Sequence, residues 1–279
     1  MLESLISILS YPFIQRALIV GLLVSAAAAL LGVSLVLKRF AMIGDGLSHV
    51  GFGSLAIATA LNATPLAVAL PVVMLAAIAL LRLSSASKIK GDAAIALIST
   101  GALAIGVTVV SATSGMNIDV TNYLFGSILA VSQSDVILSI VLAVVVLTLF
   151  VLFYNRIFAI TFDENFARAT GSRTGWLNTL IALLTALIIV LGMRLMGALL
   201  ISSLIIFPAL TAMRVLKTFR SVTICSICIA IICFISGIVV SYLLSLPTGS
   251  TIVLCNIAAF AIFWLVRLLL NQQSFKRSR

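Results

Sequence analysis

Long apolar runs, separated by short polar stretches or by stretches containing glycine and proline, dominate the chain. A membrane-spanning helix needs about 20 mainly apolar residues, and nine runs of roughly that length occur. They cover residues 12–37, 41–61, 65–83, 93–113, 135–154, 175–193, 195–213, 221–244 and 250–270. The pattern predicts an all-α, polytopic membrane helix bundle. It forms a single transmembrane domain over residues 1–279, with nine spanning helices, or eight if one run is re-entrant.

The composition indicates that lipid surrounds most of the chain, and the distribution of charge excludes nucleic acid as a partner. Of the 279 residues, 63% are hydrophobic and only 9% are charged, whereas about a quarter of a soluble domain is charged. The net charge is +10, but the basic residues lie between the apolar runs and at the C-terminus and form no continuous patch. We therefore expect a lipid bilayer, and no nucleic acid, around this chain.

Basic residues recur after every second apolar run, as expected for cytoplasmic loops. They predict a multi-pass protein of the cell membrane with its N-terminus outside and its C-terminus inside. The residues concerned are Lys38, Arg39, Arg82, Lys88, Lys90, Arg156, Arg168, Arg173, Arg214, Lys217, Arg220, Lys276, Arg277 and Arg279. Arg194 falls on the outer side in this scheme, where we expect its long side chain to reach the membrane surface from a helix end.

The predicted inner loop, residues 155–174, contains the signals of a short helix. Asp163 is an N-cap residue, Glu164 follows in the first turn, and Gly171 is a C-terminal stop. Three apolar side chains would share one face of this helix: Phe162, Phe166 and Ala169. Such a face fits a groove on a cytoplasmic partner or, alternatively, the lipid headgroups.

The predicted outer loop, residues 114–134, is too short to span a membrane and too apolar to be fully solvated. We expect a partly embedded helix there, at the outer mouth. Asp119 in this loop could attract cations, although a solvated loop residue is the simpler interpretation.

The second apolar run opens with Ile43-Gly-Asp-Gly-Leu-Ser-His49, which places two ionisable groups inside a predicted span. Asp45 and His49 are four residues apart and therefore lie on one face of a helix, one turn apart. Burying such groups in a membrane costs several kcal/mol unless they are paired or face water. The pair is either a hydrogen bond that locks helix packing or a site for a passing cation. Imidazole and carboxylate both suit zinc, and carboxylate also suits manganese.

Two ligands are too few for zinc, which normally takes four. A second copy of the chain at a symmetry axis would add another Asp45 and His49, and water, Ser48 or backbone carbonyls could complete a weak transit site. An intramembrane enzyme that uses Asp45, Ser48 and His49 is a further alternative. It is disfavoured because Ser48 and His49 diverge by about 100° on a helix.

A second unusual segment, residues 192–212, contains Pro208, which we expect to break its helix. Ser202, Ser203 and Thr211 could then satisfy the freed backbone groups. Met193 and Met196 are interpreted as side chains that fill the bundle interior rather than as metal ligands.

Taken in order, these segments resemble the membrane permeases of the zinc, manganese and iron ABC importers, over nearly the whole chain. The resemblance rests on Ile43–His49, Tyr123-Leu-Phe-Gly126, Phe162–Gly171, Met196–Ala212 and Pro247–Leu254. It implies that Asp45 and His49 contact the metal. It also implies that Phe162, Asp163, Glu164, Phe166 and Gly171 belong to the helix that couples to an ATPase.

The resemblance further implies a homodimer that works with a separate cytoplasmic ABC ATPase subunit and an extracytoplasmic metal-binding protein. The chain would be a permease and not an enzyme, and it lacks the G-x-x-x-x-G-K-[ST] loop that binds ATP phosphates. It would hold no permanent cofactor, and its cargo would be a divalent metal ion. Import, rather than export, is likewise implied by the resemblance.

Zinc is the favoured cargo, because Asp119 to Leu129 and the short turn at Leu246-Pro-Thr-Gly249 look more like the zinc-uptake members. The first alternative is import of manganese or iron by the same architecture. The second is a metal-ion transporter that needs no ATPase, which the absence of paired broken helices in matching halves disfavours.

Overall fold

A computed structural model describes residues 12–86, 91–113 and 133–277. Within these ranges every regular element is an α-helix, and eleven helices follow one another along the chain. They are α1 (Pro12–Leu37), α2 (Ile43–Ala60), α3 (Pro65–Ala86), α4 (Gly91–Ala112), α5 (Gln133–Leu152), α6 (Tyr154–Phe162), α7 (Glu164–Ala169), α8 (Thr174–Met196), α9 (Ala198–Val215), α10 (Phe219–Leu244) and α11 (Thr248–Arg277). The predicted outer helix within 114–134 lies outside the described residues, apart from the start of α5.

The nine long helices coincide with the nine apolar runs, which confirms the predicted all-α polytopic bundle. Among the described residues, eight of them are long and apolar enough to cross a membrane. The exception is α2, whose composition is less apolar because it carries Asp45, His49 and several glycine and serine residues. The helix with the candidate site is thus the one least suited to lipid.

Four helices form the centre of the bundle. Most residues of α1, α2, α8 and α9 are buried, whereas α4 and α11 bury few of theirs and lie at the periphery. Helix α1 packs against α5, α8, α9 and α10. Met193 and Met196 are both buried in this core, which confirms that they fill the interior.

Glycines allow two helix pairs to cross with their backbones almost in contact. A Cβ atom added to Gly32 of α1 would lie 2.0 Å from the carbonyl oxygen of Ile205 in α9. One added to Gly53 of α2 would lie 2.7 Å from the carbonyl oxygen of Ala102 in α4. Helices in lipid gain no hydrophobic driving force by associating, so small residues stabilise a membrane bundle by permitting close van der Waals packing.

The long segment from α8 to α9 breaks at Gly197 and not at Pro208. Gly197 has φ +91° and separates the two helices, whereas α9 continues through Pro208 to Val215. The expected helix break at Pro208 is therefore wrong, because packing by neighbouring helices holds the proline within α9. Ser226 of α10 contributes by donating a hydrogen bond to the Pro208 carbonyl at 3.1 Å.

The structure also contradicts the expectation that hydroxyl groups satisfy the backbone group freed by Pro208. Each hydroxyl donates to a carbonyl of α9 itself, three or four residues back. The pairs are Ser202 to Ala198, Ser203 to Leu200 and Thr211 to Phe207. None of these three acceptors is the carbonyl of Leu204, which is the group that the proline ring deprives of its usual donor.

Long-range contacts establish which helix ends meet. Lys38, just after α1, contacts Glu164 of α7 and Asn178 of α8, so the end of α1 and the starts of α7 and α8 lie together. We call this the basic end, because Lys38, Arg39, Arg168 and Arg214 lie on it. At the opposite end, Arg194 pairs with Asp135 of α5 at 2.8 Å. Both side chains are largely covered, so Arg194 bridges two helices and does not simply reach towards the membrane surface.

The structure divides the predicted inner loop into two short helices. Asp163 is extended, with φ −146° and ψ 96°, and separates α6 from α7. The prediction that Phe162 shares a helix face with Phe166 and Ala169 is therefore wrong, because Phe162 ends α6. Its ring packs instead against Phe158 and Phe219, with centroids 5.0 and 6.0 Å away.

Replacing Gly32 with valine tests the close crossing of α1 and α9. The added side chain has to displace the backbone of Ile205, so we expect a destabilisation of about 3 kcal/mol, at the upper end of overpacking costs. The melting temperature of the purified protein in detergent measures it. Gly101→Val on α4 is the matched control, because its Cβ meets nothing within 4 Å. Equal melting temperatures of the two variants would refute the tight crossing.

Candidate functional site

Helix α2 begins well inside the bundle. A Cβ atom on Gly44 would lie 3.1 Å from Ile205 Cδ1. Ile205 lies ten residues before α9 ends at Val215, or roughly 15 Å along the axis of that helix. The start of α2 is therefore recessed from the basic end. Asp45 lies in the first turn of α2 and is recessed with it.

Asp45 and His49 lie on one side of α2, as predicted. Gly44 faces α9, and Gly46 faces Ile95 of α4. Because Asp45 is turned about 100° from each glycine, it points into the gap between α4 and α9. Its side chain is 48% exposed and that of His49 is 25% exposed.

The two side chains are separated by a distance that suits a shared cation better than a direct bond. His49 Nε2 lies 3.7 Å from Asp45 Oδ2, which is beyond hydrogen-bonding distance. Two donors on one tetrahedral zinc ion, with bonds of about 2.05 Å, would be roughly 3.3 Å apart. Small rotamer adjustments would bring both atoms to that separation. The geometry fits a two-ligand contribution to a metal site.

Ser48 does not belong to this pair. Its side chain is fully buried, and its hydroxyl donates to the Asp45 carbonyl at 2.7 Å within the same helix. This geometry argues against both the suggested Ser48 ligand and an enzyme that uses Ser48 as a nucleophile. In the part of the chain that the structure describes, no group of three or more His, Cys, Asp or Glu side chains could hold a metal. Within those residues, Asp45 and His49 therefore have no third side chain of these types beside them.

The predicted coupling segment has a well-defined local structure. Asp163 accepts a hydrogen bond from the Phe166 N–H at 2.9 Å, which confirms the predicted N-cap of α7. Gly171, at φ +86°, ends the helix. Its N–H donates to the Arg168 carbonyl, and the Ser172 N–H donates to the Ala167 carbonyl. These are the two hydrogen bonds of a Schellman motif. The helix presents Phe166 with 65% of its surface exposed.

Sequence reasoning missed the tertiary partners of Glu164. It lies 3.6 Å from Lys38 and 3.3 Å from Arg168. The Arg168 pair has the i, i+4 spacing that a sequence can reveal. The Lys38 pair joins distant parts of the chain and has no local signal. Burial lowers the pKa of Lys38 from its ordinary value, and the charge of Glu164 opposes that shift.

Comparison with known proteins identifies the family. Residues 10–267 match the model of the ABC 3 transport family. The chain belongs to this family. Membership confirms the resemblance inferred from the ordered motifs and makes the chain a membrane permease of a transporter family rather than an enzyme.

Two relatives in the family are named for different metals. The high-affinity zinc uptake system membrane protein ZnuB of Haemophilus influenzae is 30% identical over 90% of this chain and 97% of its own length. The manganese transport system membrane protein MntC of Halalkalibacterium halodurans is 29% identical over 91% of this chain and 87% of its own. Overall identity therefore does not separate the two cargoes.

A solved structure shares the architecture. PsaBC from Streptococcus pneumoniae, determined in complex with Fab, superposes with a TM-score of 0.83. The match covers 95% of both chains at 28% sequence identity. The arrangement of helices around α2 is thus shared with this solved structure.

Removal of the α7 cap tests the local structure of the coupling segment. Asp163→Ala deletes the acceptor for the Phe166 N–H and should cost about 1 kcal/mol of local helix stability. Amide hydrogen exchange over residues 164–169 should therefore accelerate. Asn165→Ala, an exposed change on the same helix, is the control. Unchanged exchange in Asp163→Ala would show that the cap does not hold the helix.

Proposed function

We propose that this chain is the membrane-spanning subunit of an ABC importer that carries divalent zinc into the cell. The observation that carries the proposal is the pair formed by Asp45 and His49 on one side of α2. Both lie on the recessed first turns of α2 and are partly covered, with donor atoms 3.7 Å apart. A carboxylate and an imidazole so placed cost free energy unless a cation or water uses them.

A homodimer would complete the ligand set. One chain contributes two donors to a cation that normally takes four. The side of α2 that carries them faces the gap between α4 and α9, and peripheral α4 has an apolar surface available to a second copy. Two copies related by a two-fold axis would bring two carboxylates and two imidazoles together. Modest affinity suits a transit site, because the ion must also leave it.

Helix α7 would dock a separate cytoplasmic ATPase. It is closed at both ends by hydrogen bonds and presents the exposed Phe166. An exposed aromatic ring on a short, well-capped helix suits a partner's groove. The clustering of basic residues at the same end supports a cytoplasmic position. Metal would then be delivered to the opposite end by an extracytoplasmic binding protein.

Manganese is the second candidate cargo, favoured by the relative that is named for manganese transport. Zinc is preferred because imidazole is a better ligand for zinc than for manganese, which prefers oxygen donors. A strain that lacks this chain should regain zinc, and not manganese or iron, when the chain is restored. The cellular contents of all three metals, measured together, decide the cargo. Restoration of manganese alone would refute the zinc assignment.

Asp45→Ala and His49→Ala test the transport site. Each removes one donor of a sparse ligand set, so metal uptake should fall to the level of cells without the chain, while the protein remains inserted. Asp92→Ala is the matched control, because Asp92 is an exposed carboxylate in the first turn of the neighbouring helix α4. Normal uptake by either site variant would show that the metal passes elsewhere.

Phe166→Asp tests the docking role of α7. A carboxylate in place of the exposed ring should remove apolar contact with the ATPase, so co-purification of the ATPase should be lost. Asn165→Asp adds the same charge one residue away and should retain the partner. Retention of the ATPase by Phe166→Asp would refute docking at this helix.

A further inference from the structure

A partly buried polar cluster joins the α7 helix to the turn that precedes α2. Lys38, whose side chain is 13% exposed, donates a hydrogen bond to the Asn178 side chain of α8 and lies 3.6 Å from Glu164 of α7. Three elements therefore meet at one amino group. Among the described residues, this ion pair joins α7 to the turn after α1, and Arg168 Nε of α7 also donates a hydrogen bond to Thr174 Oγ1 at the start of α8, at 3.4 Å.

The turn that carries Lys38 is held rigidly to both of its helices. The Phe40 N–H donates to the Leu35 carbonyl at 2.8 Å, and the Arg39 N–H donates to the Val36 carbonyl at 3.1 Å. These two hydrogen bonds close the end of α1. Ile43 N–H donates to Phe40 at 3.1 Å and opens α2. A displacement of Lys38 therefore has to move the start of α2, and Asp45 lies seven residues after Lys38.

The space beside the cluster allows such a displacement. A cavity of about 170 Å³ lies between the turn and the starts of α4 and α8. Its walls include Phe40 and Ile43 on one side and Ile95 and Ile181 on the other, with Lys38 and Glu164 at its polar edge. Because close-packed interiors resist gradual deformation, a void next to the turn is where α2 can shift without a clash.

The attraction between opposite charges holds Lys38 and Glu164 together. Lys38 is desolvated, and the carboxylate of Glu164 compensates its charge. Lys38 is 13% exposed and Glu164 is 37% exposed. Removing the charge of Glu164 leaves the more buried Lys38 without its counter-charge, which costs more than losing a fully exposed pair. Arg168, the other partner of Glu164, is 67% exposed, and its contribution is correspondingly small.

We propose that Lys38 and Glu164 are positioning residues that transmit movement of the ATPase-docking helix to α2 and its metal-binding pair. The proposal rests on the proposed function, because it requires α7 to bind the ATPase and α2 to carry the metal. Glu164 moves with α7, Lys38 follows its counter-charge, and the hydrogen-bonded turn moves the start of α2. Neither residue needs to touch the metal or the nucleotide.

The test measures zinc uptake and ATP hydrolysis in the same proteoliposomes, with the chain purified together with its ATPase. Lys38→Met should bind the ATPase normally and hydrolyse ATP, because Lys38 lies outside the docking helix α7. Glu164→Gln, on that helix, is measured beside it. Zinc moved per ATP should fall roughly tenfold, within the range of coupling between distant sites. The double variant should be no worse than either single variant, because both remove one interaction. Lys38→Arg and the exchange of Lys38→Glu with Glu164→Lys should restore coupling.

Arg168→Gln is the matched control, since it removes the exposed partner of Glu164 and should leave zinc per ATP unchanged. Wild-type uptake in Glu164→Gln or Lys38→Met would overturn the proposal. So would an equal loss in Arg168→Gln, or loss of the ATPase from Glu164→Gln, which would assign Glu164 to docking. If Lys38→Met does not fold, Glu164→Gln and the exchanged pair decide. Absence of zinc uptake by the wild-type protein would refute the proposed function instead.

Discussion

The cost of placing charge in a low-dielectric bundle governs the arrangement of the polar side chains in this protein. Arg194 and Asp135 meet at 2.8 Å at one end, and Lys38 meets Glu164 and Asn178 towards the other. Each of these charges has a counter-charge close by. Asp45 and His49 also lie close together, at 3.7 Å, but their side chains are 48% and 25% exposed and point into the gap between α4 and α9. In the proposed function a cation enters this gap and is shared by the two side chains.

The depth of α2 follows from the close packing that glycines permit. Gly44 lets α2 begin beside Ile205, and Gly53 lets it cross α4 at backbone distance. The helix that carries the ionisable pair is therefore enclosed by other helices rather than by lipid, which reduces the cost of its polar residues. The same recess leaves the turn between α1 and α2 within reach of α7. One packing arrangement thus supports both the proposed metal site and its proposed link to the ATPase.

At the basic end, a well-capped short helix lies beside a cavity. Asp163 caps the start of α7 and the Schellman motif at Gly171 closes its end, so α7 is a defined unit. The aromatic rings of α6, which precedes α7, pack against Phe219. Beside it, a cavity borders the start of α2. The proposed coupling requires an element with two arrangements, and it assigns that part to the start of α2, which borders this cavity.

The amino-acid sequence by itself determined the number and bounds of the nine long helices, the cap and stop of α7, and the shared face of Asp45 and His49. These features depend on periodicity and on neighbours within one turn, so they can be read locally. Only the tertiary structure decided that α9 continues through Pro208, that Arg194 pairs with Asp135, and that Lys38 reaches Glu164. Those outcomes depend on packing between segments far apart in the chain, where the contacts of neighbouring helices outweigh local preference.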